Sequence, residues 1–286
     1  MTTNLTKKKT SLFIFLCGIF ITNAILAELI GVKIFSAEKA LGVDPARIPL
    51  FEELMLDFNL TAGAILWPIV FITTDIINEY FGKAGVRKIS FLTAGLIAYS
   101  FFVIYGVTQL PAADFWLEVN AQDAQGQAFN INYAFKTIFQ QGLGIIVGSL
   151  VAFLIGQFLD VYIFQKLRRV TGSGKIWLRA TGSTLVSQLI DSFVVLWIAF
   201  WVFGNWSYSL VLSVGIINYI YKFTVAIILT PVLYFAHYLI DQYLGKEYAD
   251  ELANEASKTS LFFGEQESLG SSDVVADHRR GNSDIQ

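Results

Sequence analysis

Ionisable and metal-binding side chains are scarce in this 286-residue chain: charged residues make up 15%, and there are two histidines and one cysteine. Soluble domains carry roughly 25% charged residues. The lone Cys17 excludes an intrachain disulfide and a thiolate metal cluster. His237 and His278 are too few and too far apart for a zinc motif. No H-E-x-x-H pattern or nucleophile–base set falls within the apolar runs, which argues against an enzyme, and nothing calls for a cofactor. A G-x-x-x-x-G-K-[ST] loop is also missing, so any coupling to ATP would have to come from partner proteins. A net charge of −3 without a basic stripe gives no reason to expect nucleic acid as a partner.

What is abundant is apolar: 55% of the residues are hydrophobic, and phenylalanine alone occurs 25 times. A soluble domain has too little interior to hide so many such side chains, whereas a bilayer accepts them. A spanning helix needs ~20 mostly apolar residues. Runs of that kind lie near 11–34, 60–81, 89–110, 134–160, 180–203 and 209–240. The expectation is an all-α integral membrane protein, a bundle of about six transmembrane helices. The last run is long, and Pro231 is the natural place for it to kink. The run after Lys7, Lys8 and Lys9 is too long for a signal-peptide core and lacks an A-x-A-like site, so it reads as the first span.

Three zones follow: a cytoplasmic segment 1–10, the membrane domain 11–244, and a polar tail 245–286 expected to be disordered beyond about Lys258. Between the first two runs, Pro49 to Phe58 has helical spacing of apolar residues and reads as a short interfacial helix. Lysine and arginine set the orientation. Lys7–Lys9, then Lys83, Arg87 and Lys88, then Lys166, Arg168, Arg169, Lys175 and Arg179, then Lys246 all fall on one side. The other side has Lys39 and Arg47, with Lys33 and Lys136 at the border. Both termini are therefore expected in the cytoplasm of a multi-pass cell (inner) membrane protein.

An ionisable side chain in mid-membrane costs ~2.5–3.5 kcal/mol even on insertion scales, so each needs a reason. Asp191 and Lys222 each lie about 18–20 Å from the end of their runs, at matching depth on consecutive antiparallel helices. They should meet, either as a structural clasp or as part of a site. Gln188 is three residues before Asp191 and Asn218 four before Lys222, so each shares its neighbour's face. Asn23, Glu28, Asp75 and Asn78 complete the candidate polar cavity, between spans one, two, five and six. Glu79 and Asp160 read as interfacial residues beside Lys83 and Lys166. Trp67, Trp177, Trp197, Trp201 and Tyr219 could stack on a planar ligand. There is also an internal echo: Ile77-Asn-Glu-Tyr-Phe-Gly-Lys83 returns as Ile240-Asp-Gln-Tyr-Leu-Gly-Lys246.

Several segments together carry a resemblance. Thr74-Asp-Ile-Ile-Asn-Glu-Tyr-Phe-Gly-Lys83, Gly156-Gln-Phe-Leu-Asp-Val-Tyr-Ile-Phe-Gln165, Ser183-Thr-Leu-Val-Ser-Gln-Leu-Ile-Asp191 and Asn218-Tyr-Ile-Tyr-Lys222 resemble the Vut family of queuosine precursor transporters. The likeness spans roughly residues 11–244. It implies import of 7-cyano- or 7-aminomethyl-7-deazaguanine for tRNA modification. The implied partners are a modified purine base and the lipid bilayer, with no nucleic acid; a homo-oligomer is compatible. The rival reading is a substrate-binding membrane subunit of a multi-component importer energised by other proteins.

Overall fold

The computed structural model describes residues 2–31, 33–51, 54–140, 143–171, 175–202 and 206–259. Helix α1 (Thr2–Ile30) opens the chain. Its Leu12, Leu16, Phe20, Ala24 and Ala27 recur at helical spacing and are all buried, forming the stripe that packs into the common core. An outer cap follows: β1 (Ile34–Ser36), a one-turn helix α2 (Ala37–Ala40), β2 (Ile48–Phe51), β3 (Leu54–Leu56) and β4 (Asn59–Thr61). β1 pairs antiparallel with β4, Ile34 opposite Thr61, and β2 pairs with β3. The expected interfacial helix over Pro49–Phe58 is thus a β-hairpin; Glu52 and Glu53 lie outside the described residues. Its apolar residues fit either period, and the pairing of the two strands decided the outcome.

Helix α3 (Trp67–Gln109, 43 residues) is broken at Gly82, where φ is 67°. A Cβ on Gly85 would sit 3.4 Å from the Ile77 side chain, eight residues earlier. In a straight helix those positions lie about 12 Å apart. The chain therefore folds back at Gly82, and α3 is a helical hairpin. Beyond it come α4 (Asp114–Val119), α5 (Ile131–Phe139), α6 (Leu143–Thr171), α7 (Ile176–Leu196) with a π-helical extension Trp197–Val202, α8 (Tyr208–Ile228), α9 (Thr230–Leu244) and α10 (Lys246–Thr259). The fourth span starts later than its apolar run, because α5 ends near Gln140 as a separate short helix. The sixth breaks between α8 and α9, beside Pro231 as its ring requires.

Among the described residues, five helices are long and apolar enough to cross a bilayer. One of them is the 43-residue α3, whose fold-back at Gly82 divides it into two arms. The polar tail begins with an ordered element, since α10 buries Ala249, Leu252, Ala253 and Ala256 against the bundle. A Cβ on Gly82 would lie 3.0 Å from the Ala256 carbonyl oxygen, so α10 sits directly on the hairpin turn. The tail from residue 260 onward lies outside the described residues.

Candidate functional site

The mid-membrane charges meet. Lys222 Nζ donates to Asp191 Oδ2 at 2.6 Å, linking α8 to α7. The two side chains keep 14% and 21% of their surface, so the pair borders open space. Gly156 makes the arrangement possible: its Cα faces Asp191, and a Cβ there would lie 3.4 Å from the aspartate Cβ. Span four thereby becomes a wall of the site, a role the sequence reading had not given it. Glu28 on α1 accepts a hydrogen bond from Ser149 on α6 at 2.5 Å, and lies close enough to Asp191 for the two carboxylates to feel each other.

Gln188, one turn from Asp191, is buried, and its Oε1 has no hydrogen-bond partner among the described residues. Asn23 and Asn218 are half-buried and donate back to their own helices, to the carbonyls of Ile19 and Val214. Those are weak local bonds that a ligand could replace.

A second polar group lies toward the hairpin turn. Asp75 is buried at the side of a narrow cleft between α3, α7 and the α8–α9 break, with about 350 Å³ of empty space including its mouth. Pro68, Phe71, Thr181, Thr184 and Thr230 also line it. Thr184 and Ser187 donate to Asp160 Oδ1 at 3.4 and 3.2 Å. Thr74 donates to Gln157 Oε1 at 3.3 Å. Asp160 is therefore an interior residue held by hydroxyls, and the interfacial reading is corrected. Its side of α6 faces α7.

Glu79 is corrected too. It is buried, accepts from Arg179 Nη2 at 2.9 Å and forms a second ion pair with Arg168. The Gly82 turn with α10 over it closes this end of the bundle, so Glu79 finds its cations from α6 and α7. Asn78 goes with that cluster: its Oδ1 accepts from Gln165 Nε2 at 2.6 Å, which removes it from the vicinity of Asp191. Tyr80 donates to Asp241 at 2.9 Å and stands 2.9 Å from His237 Nδ1, tying α3 to α9. Sequence reasoning counted Arg168 and Arg179 only as markers of the positive side. The missed signal was Glu79 itself, an acid in an apolar run whose nearest cation in sequence, Lys83, lies beyond the break at Gly82.

Four of the five aromatic candidates pack against other rings. Trp67 stacks on Phe71 at 5.8 Å and lies 6.0 Å from Phe153; Trp197 packs against Trp201 at 4.5 Å, and Tyr219 against Phe223 at 6.5 Å.

The family described as "Putative vitamin uptake transporter" matches residues 61–236, more than half of the chain. The chain belongs to this family. It is 34% identical over 186 residues (64% of this chain, 75% of the relative) to the "Probable queuosine precursor transporter" of Bacillus subtilis (strain 168). It is 26% identical over 180 residues (61% of this chain, 71% of the relative) to the "Queuosine precursor transporter" of Escherichia coli (strain K12). No solved structure matches it. Within this vitamin-uptake-type transporter the matched stretch holds Asp75, Glu79, Asp160, Gln188, Asp191 and Lys222. Asn23, Glu28 and α10 fall outside it. The protein is a multi-pass membrane transporter.

Proposed function

We propose that this transporter imports queuosine precursors, bases such as 7-cyano- or 7-aminomethyl-7-deazaguanine, and holds them beside Asp191 and Lys222. The observation that carries the reading is the partly open ion pair in mid-membrane, one turn from the unpartnered Gln188 Oε1. Such a base offers an N1–H and a 2-amino group side by side, which a carboxylate accepts as two parallel hydrogen bonds. Its O6 needs a donor, which Lys222 supplies. Gln188 Oε1 would accept from a remaining donor of the base, and the Asn218 amide would donate to a remaining acceptor. Relatives named for the same cargo support the substrate class. The test is uptake of labelled base by cells that lack their own synthesis and uptake. Expression of this chain should restore accumulation, and cells that remain at background would refute the reading.

A further inference from the structure

Three buried acids and two buried arginines occupy the inner half of the bundle: Asp75, Glu79, Asp160, Arg168 and Arg179. Fully ionised, they leave one negative charge uncompensated in a low-dielectric interior. Glu79 holds both guanidiniums. The surplus therefore rests on Asp75 and Asp160, which are 5% and 7% exposed. Neither has a salt-bridge partner among the described residues. Asp75 lies within Coulomb range of Asp160, Glu79 and Arg179. Thr184 donates to Asp160 and also lines the cleft that Asp75 borders. Asp75 Oδ1, buried at that cleft, has no hydrogen-bond partner among the described residues.

The other charged groups packed around this place are accounted for. On α9, His237 and Asp241 meet Tyr80. On α8 and α7, Lys222 and Asp191 neutralise each other. On α1, Glu28 is bound to Ser149, toward Asp191.

We propose that Asp75 and Asp160 form a proton-binding site distinct from the base site, and that the proton it takes up and releases is the coupling ion of transport. One proton on either carboxyl makes the five-residue cluster neutral. A proton needs one oxygen. A metal ion would need a shell, and the cleft is lined mainly by Pro68, Phe71, Ala180, Val225 and Leu229, while no cluster of three metal-ligating side chains occurs among the described residues. The coupling role rests on the transport reading above, whereas the protonated carboxyl does not.

The test therefore has two readouts on the full chain reconstituted in liposomes. Infrared difference spectra at neutral pH should show a protonated carboxyl band that Asp75→Asn or Asp160→Asn removes. These variants should fold, because each replaces the surplus charge with a neutral isostere. With the membrane potential clamped at zero, an acid-outside gradient should concentrate labelled 7-cyano-7-deazaguanine about tenfold per pH unit, as one proton per base requires. The Asp160→Asn variant should lose that accumulation yet keep exchange of labelled for unlabelled base. Absence of the band overturns the site. Accumulation driven by sodium at equal pH, or exchange with no gradient response, overturns the coupling while leaving the transport reading intact. If the parental chain exchanges no base, the transport reading and the coupling both fail, and the band alone decides the site.

Discussion

Asp191 and Lys222 join α7 to α8 through a 2.6 Å contact in mid-membrane, and the pair is only partly enclosed. Removing one partner strands the other in hydrocarbon, which costs more than the pair itself contributes. Asp191→Asn and Lys222→Met should each lower folded yield. The double variant removes the stranded charge and should recover yield, measured as monodisperse protein after detergent extraction. Uptake should stay lost, because the carboxylate proposed to read the base is gone. A double variant transporting at the parental rate would reduce the pair to a clasp.

Gln188 tests the neighbouring acceptor. Its buried Oε1 lacks a partner, so the protein itself leaves that hydrogen bond to be made. Gln188→Met should weaken base binding about tenfold or more, since an unmet buried partner costs ~1–3 kcal/mol. Titration calorimetry on the purified protein reads this, and unchanged affinity would move the site elsewhere.

The echo between Ile77–Lys83 and Ile240–Lys246 shows how much was legible. In both copies the glycine adopts positive φ, 67° at Gly82 and 88° at Gly245, and a helix leaves in a new direction. The repeated sequence is a repeated turn. Hydropathy gave the crossings, and matched depth gave the Asp191–Lys222 pair, because those features need only length and one helix rise. The Glu79–Arg168–Arg179 cluster was not legible. Its three members come from α3, α6 and α7, and their meeting depends on a hairpin and on α10, whose small apolar face of Ala249, Leu252 and Ala253 hides in a polar composition. Span four was underestimated for a similar reason. Gly156 carries no side chain, so its closeness to Asp191 leaves no chemical signature in the sequence.

The lysine and arginine distribution predicts both termini on the cytoplasmic side. In a Cys17→Ser background, a cysteine at Gln125 should react with an impermeant maleimide in intact cells. One at Val170 should react only after lysis. The opposite pattern would invert the protein.

The outer cap carries a pH dependence of its own. Glu38 accepts from the Phe58 backbone N–H at 2.6 Å, and from Ser36 and Ala46. The Phe58 bond chiefly, helped by the other two, holds its carboxyl below the ordinary glutamate range, at about 2. A depressed acid stabilises the ordered cap above the ordinary value of ~4.3. That contribution fades as pH falls from there toward about 2. Protease sensitivity of the 36–58 segment should therefore rise on acidification, and Glu38→Gln should raise it at neutral pH and remove this acid-dependent rise. An acid response unaltered in the variant would assign it to another group.

The most direct measurement is uptake of labelled 7-cyano- and 7-aminomethyl-7-deazaguanine into liposomes that contain this chain and no other protein. The account predicts saturable entry of at least one of these bases, competed by the unlabelled base and abolished in the Asp191→Asn/Lys222→Met variant. Entry no faster than in empty liposomes, from a preparation shown to be folded, would contradict it.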